Sequence, residues 1–141
     1  MTDKRVPLDV DRHRYQRSAS HVLNDDPEQR AKALAFGSGL SVKMPGFVSL
    51  MVLVEFSWSL ASRYRQPKEQ VLAAIQRLLK IKTLEFEDFD AIVIALERSN
   101  SVQVDFADAL IAEHNRKLGC SHTVTFDQRA AKAIPGMELL A

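Results

Sequence analysis

The sequence predicts an α/β fold: a mainly parallel central sheet flanked by helices. Short runs of β-branched and aromatic residues alternate with segments of helical spacing, the pattern of strand–helix–strand units. Capping residues stand at the joints, with Ser49 before Leu50 and Asp26 before Pro27. The length, 141 residues, fits one domain spanning residues 1–141. A chain of that size buries on the order of two-thirds of its unfolded surface.

Arg5 to Asp9 reads as a first strand, and Pro7 confines it to an edge or a strand start. Arg12 to Ser20 is polar and carries no periodicity. A helix follows from Pro27 to Gly37, capped by Asp26. Gly39 to Gly46 reads as loop and Phe47-Val48 as a short buried strand. Ser49 then caps a strong helix reaching about Tyr64, whose inner face is Leu50, Leu53, Val54, Ser57, Leu60, Ala61 and Tyr64. Trp58 and Tyr64 read most simply as core or core-edge rings.

Pro67 opens the next helix, with an apolar stripe of Val71, Ala74, Ile75, Leu78 and Leu79. Leu84 to Phe86 alternates like a strand. Glu87 to Glu97 is helical, with Phe89, Ile92, Val93 and Leu96 inward. Val104 to Leu118 is a further helix ended by Gly119. Thr123 to Thr125 reads as a buried strand, Asp127 to Lys132 as a short helix, and Met137 to Leu140 as a last strand.

Composition narrows the function. The net charge of +1 excludes a uniformly basic nucleic-acid binder, so contact with nucleic acid would need local patches. Cys120 stands alone, which excludes an intrachain disulfide and a cysteine-rich zinc site and suits a reducing cytoplasm. Glu55 and Pro45 interrupt the least charged run, Met44 to Leu60, so no membrane span is expected. Met1 to Val10 holds charges and no apolar block, so no signal peptide is expected. The four histidines lack metal-ligand spacing, and there is no glycine-rich phosphate loop.

Four acidic residues do not read as ordinary surface charges. Glu55 lies among apolar residues and has no basic neighbour three or four positions away. Such a carboxylate needs a partner, a hydrogen bond or a metal; the simpler reading is a boundary residue reaching water. Asp105 and Asp108 are three apart and repel if both are helical, unless a cation lies between them. Asp105 is also a natural N-cap, but capping leaves Asp108 unexplained. Asp127 follows a predicted strand, where it either caps the last helix or lines a site at the strand's carboxyl end.

Taken in order, these segments resemble the VapC family of PIN-domain ribonucleases, the toxins of type II toxin–antitoxin pairs. The resemblance runs from about Asn24 to Leu140. It is carried by Asn24-Asp25-Asp26-Pro27-Glu28-Gln29, by Phe47-Val48-Ser49 leading to Val54-Glu55-Phe56-Ser57-Trp58-Ser59-Leu60, and by Tyr64-Arg65. Val104-Asp105-Phe106-Ala107-Asp108-Ala109-Leu110-Ile111-Ala112 and Thr125-Phe126-Asp127-Gln128-Arg129-Ala130-Ala131 complete it. Each segment alone is weakly specific; the ordered set is fairly specific. It implies a single PIN-like domain and a Mg²⁺- or Mn²⁺-dependent endoribonuclease acting as a cytoplasmic toxin. The partners it implies are an RNA substrate, a cognate antitoxin and a second copy in a homodimer.

By position, Glu55 matches the family's active-site glutamate, Asp108 a metal ligand, and Asp127 the last acid of the site. Asp105 matches a supporting aspartate. The family's first motif is an aspartate ending the first strand, then a small residue, an Asn and an apolar helix. Here Asp9 supplies that aspartate, with Asp11 as its rival, and residues 10–23 depart from the pattern. One account of the departure is a frameshift: Asp11-Arg12-His13 has a codon spelling that reads Ile-Asp-Thr one base later, and Gln16-Arg17-Ser18 one that reads Asn-Val-Leu. Codon choice is free, so the gene's own DNA decides.

On this reading Asp9, Asp108 and Asp127 hold the cation, and Glu55 either ligates it or orients a water. Arg63, Arg65, Lys117 and Arg129 are candidate phosphate contacts, though each reads more simply as a solvated helix end. The main alternative is a PIN-fold protein that binds antitoxin or RNA without cleaving, its first motif being incomplete. Further alternatives are an interaction module whose acids are caps and surface charges, and a DNA nuclease.

Overall fold

The computed structural model describes Val6, Pro7 and residues 27–140. The reading of residues 10–23, and Asp9, Asp11 and the Asp26 cap with it, falls outside them. The chain forms two compact units, Met1–Glu87 and Asp88–Ala141.

In the first unit, strands β1 (Val6–Pro7), β2 (Gly46–Val48) and β3 (Leu84–Phe86) form a parallel sheet in the order β1-β2-β3. Val6 pairs with Gly46, and Gly46 in turn with Leu84. Pro7 lies in an edge strand, where its missing N–H is tolerated. Helix α1 (Pro27–Ser38) starts at the expected proline.

Helix α2 (Leu50–Trp58) starts at Ser49, whose hydroxyl accepts a 3.2 Å hydrogen bond from the Val52 N–H. The Glu87 carboxylate accepts a second bond, 3.3 Å, from the Leu50 N–H. A negative charge there also suits the positive end of the helix. The expected α-helix to Tyr64 breaks one turn early: Ser59–Arg63 is a π-helical turn, in which Tyr64 N–H donates to the Ser59 carbonyl at 3.0 Å. Its buried face is Leu50, Leu53, Phe56, Ser57 and Leu60; the expected Val54 is half-buried and Ala61 exposed. The inner face therefore centres on Phe56, which the periodicity left out. Trp58, expected in or beside the core, is 58% exposed.

Helix α3 (Lys68–Leu79) follows Pro67 and buries Val71, Leu72, Ala74, Ile75 and Leu78, close to the predicted stripe. It packs on β3 and on the π turn.

In the second unit, α4 (Phe89–Ser101) and α5 (Phe106–Lys117) form the main packing pair. Asp88 caps α4 through a 3.1 Å bond from Ala91 N–H and also pairs with Lys117 Nζ at 2.8 Å. This pairing accounts for Lys117, which the sequence offered as a phosphate contact. Ala91, Ile92, Ala95 and Leu96 face inward, whereas Phe89 is 49% exposed rather than inward as expected. Buried Ser99 donates to the Val104 carbonyl at 2.8 Å and so fixes the link into α5. Glu113 is buried beside Arg116, which donates to both of its oxygens, at 2.6 Å and 3.0 Å for the shortest contacts. That guanidinium holds the Glu113 carboxyl below the usual range despite its burial.

Gly119, with φ of 89°, ends α5 as the sequence indicates. Strand β4 (Thr123–Thr125), helix α6 (Gln128–Ala133) and strand β5 (Met137–Leu139) close the unit; β4 and β5 pair in parallel. The sheet is thus two small parallel sheets in separate units rather than one central sheet among the described residues. Strand β4 was expected to be buried, yet Val124 is 53% exposed. Helix α6 packs on these strands, and Ala130 and Met137 are buried there. Among the described residues, no helix is long and apolar enough to cross a membrane.

Candidate metal-binding carboxylate site

The second unit places three of the expected acids around the start of α5. Asp105 occupies the N-cap position with extended backbone, yet its side chain makes no capping bond. Its backbone carbonyl accepts from Ala109 N–H at 3.1 Å, and its carboxylate is exposed. The simple capping account of Asp105 therefore does not hold for its side chain.

Asp108 lies in the first turn of α5 and is half-buried, between the buried residues Phe106, Ala107, Ala109 and Leu110. Burial raises its pKa above the ordinary carboxylate value, and the negative charges of Asp105 and Asp127 raise it further. The helix N-terminus favours a carboxylate by about 0.3–1 kcal/mol. Desolvation and like charge outweigh that, since the net shift is upward.

Asp127 caps α6. Its Oδ1 accepts from the backbone N–H of Arg129 at 2.8 Å and of Ala130 at 3.1 Å. Thr125 Oγ1 accepts from the Asp127 N–H at 3.0 Å. Both capping bonds end on one oxygen, so Asp127 can cap α6 and still present Oδ2. The capping and site readings of Asp127 are compatible.

Asp127→Ala removes cap and charge together, whereas Asp127→Ser keeps a capping oxygen. The expected outcome is a stability loss of about 1 kcal/mol for Ala and much less for Ser, measured by urea denaturation. Both variants should lose any cleavage that depends on the charge. A Ser variant with the parent's activity would leave Asp127 only as a cap.

Glu55 is exposed on α2, in the unit Met1–Glu87. Asp9 and Asp11 lie outside the described residues. The structure thus places Asp108 under the charges of Asp105 and Asp127. Among the described residues, no three His, Cys, Asp or Glu side chains form a group able to hold a metal ion. Electrostatic influence reaches further than ligation, so the two findings agree. The donor chemistry still suits a hard cation: oxygen ligands only, with one carboxylate whose charge its surroundings disfavour.

Parallel strands linked through helices, with Asp127 after a strand and Asp108 at a helix start, define an α/β protein in which the charges of Asp105 and Asp127 act on Asp108. The PIN domain family model matches residues 19–134, and the chain belongs to that family. The PIN domain is a nuclease fold whose members are commonly metal-dependent. No curated protein and no solved structure matches the chain.

Proposed function

We propose that the chain is a metal-dependent endoribonuclease of the VapC type, the toxin of a toxin–antitoxin pair. The observation that carries this reading is Asp108: half-buried, its charge opposed by Asp105 and Asp127, in a chain of the PIN domain family. A carboxylate so placed is relieved by a cation. Asp108 and Asp127 would hold Mg²⁺ or Mn²⁺ together with Asp9 or Asp11, and Asp105 would support them. When bound, the ion lowers the pKa of the attacking water and offsets charge on the phosphate. Glu55 would complete the acidic set. Arg63, Arg65 and Arg129 would contact the RNA backbone. A single domain over residues 1–141, a cytoplasmic location, a homodimer and a neighbouring antitoxin belong to the same proposal.

A second reading has its own support: a PIN-fold protein that binds antitoxin or RNA without cleaving. The family match begins at residue 19, past both Asp9 and Asp11. A frameshift would account for the departure of residues 10–23 from the family's first motif, and resequencing the gene tests it directly.

Titrating Mn²⁺ into the purified chain separates the two readings. The active enzyme is expected to melt higher as metal is added, by about 2.7 kcal/mol of stability at a hundred times the dissociation constant. It is also expected to cut single-stranded RNA until a chelator is added. Absence of both effects assigns the chain to the second reading.

A further inference from the structure

We propose that Trp58 is a stacking platform for an unpaired base of the RNA substrate. The proposal rests on the nuclease reading for its choice of substrate. Trp58 is the chain's only tryptophan and is 58% exposed. A side chain that large normally finds cover in the core, and α2 does have a buried face in Leu53, Phe56 and Leu60. Trp58 sits on the other face, with Glu55 and Met51 three and seven residues before it. Both are exposed, Met51 by 79%.

The backbone beyond Trp58 departs from the α-helix twice. Ser59–Arg63 is a π turn, which closes on the fifth residue instead of the fourth. In an α-helix Arg63, five residues on, would point about 140° away from Trp58. The wider turn swings it back toward the Trp58 side. Two residues later Arg65 has φ of 51°, a left-handed conformation uncommon for a long side chain. Gln66 N–H holds this corner by donating to the buried Leu60 carbonyl at 2.8 Å. π turns and strained backbone concentrate at functional sites. Here they lie in the stretch that carries two exposed arginines within seven residues of an exposed indole, and neither arginine pairs with an acid among the described residues.

That composition matches single-stranded nucleic acid. Every base offers a π-face to an indole, and each phosphate offers a partner to a guanidinium. A protein partner seeking apolar cover fits less well, because Glu55 separates Met51 from Trp58. A duplex hides its base faces and should not stack.

The test titrates the full chain, in chelator, with a single-stranded 2′-O-methyl RNA that cannot be cut, and with the matching duplex. Emission from Trp58 should be quenched saturably by the single strand and far less by the duplex. Trp58→Ala should bind the labelled strand about tenfold more weakly or worse, and Trp58→Phe should recover most of that loss. In the metal-dependent cleavage assay, Trp58→Ala should raise KM and leave kcat little changed. Unsaturable emission, or equal affinity for Trp58→Ala and parent, overturns the proposal. So does emission that shifts with protein concentration alone, which would give this face to a second copy. Cleavage with an unaltered KM for Trp58→Ala sinks the stacking role and spares the nuclease. Saturable quenching without cleavage under any metal sinks the nuclease and spares the stacking role.

Discussion

Asp108→Asn is expected to lose metal-dependent RNA cleavage by about a hundredfold or more, the scale of removing one well-placed electrostatic group. It is expected to do so without unfolding. The folded protein holds the Asp108 proton more tightly than the unfolded chain does, because burial and then Asp105 and Asp127 raise its pKa. Ionising Asp108 therefore costs stability. That cost is absent below the unfolded pKa, grows as pH rises through the folded value, and is constant above it. Asn carries no charge, so at neutral pH it escapes the repulsion, which for a like pair three apart is about 0.2–0.5 kcal/mol. Measured in chelator, the variant should melt at the parent's temperature or slightly above. With Mn²⁺ added, the parent should gain stability and the variant little or none. The raised pKa also means that metal affinity should fall with acidification sooner than it would for an ordinary aspartate. A variant that cuts RNA as fast as the parent removes Asp108 from the site.

The largest structural effect is expected from Phe56→Ala, at about 3–5 kcal/mol of stability. Phe56 is 2% exposed and lies between Leu53 and Leu60, both buried, on the inner face of α2. Truncation removes the apolar contact and leaves a cavity that the flanking residues cannot fill completely. Against a total stability of about 5–15 kcal/mol the loss is large. Val54→Ala tests the same point from the other side. Periodicity put Val54 on the inner face, but it is only half-buried, so its truncation should cost clearly less. Urea midpoints for the two variants decide the matter: an equal or greater cost for Val54 would restore the face read from the sequence.

Much of the secondary structure was legible. Ser49, Pro67 and Gly119 each mark a helix boundary through chemistry that acts within a few residues. Leu84 to Phe86 and Thr123 to Thr125 are strands where β-branched and aromatic residues predict them. Of the candidate site, the sequence marks Asp108 by its apolar neighbours and Asp127 by its place after a strand. The π turn after Trp58 moves every later side chain off the 100° helical spacing, so Ala61 turns outward, and Trp58 itself lies on the outer face. Nothing local marks that turn. Glu113 was also missed, although Arg116 three residues on was a visible hint of its partner.

The amino-acid order by itself determined where helices and strands begin, that Asp108 lies among apolar residues at a helix start, and the family to which the chain belongs. These depend on caps, propensities and residue order, all of them properties of neighbouring positions. Only the tertiary structure decided that Asp105 and Asp127 act on a half-buried Asp108, that Asp105 caps nothing with its side chain, and that Trp58 faces outward. Burial and electrostatic coupling arise between segments distant in sequence, and no local pattern encodes them.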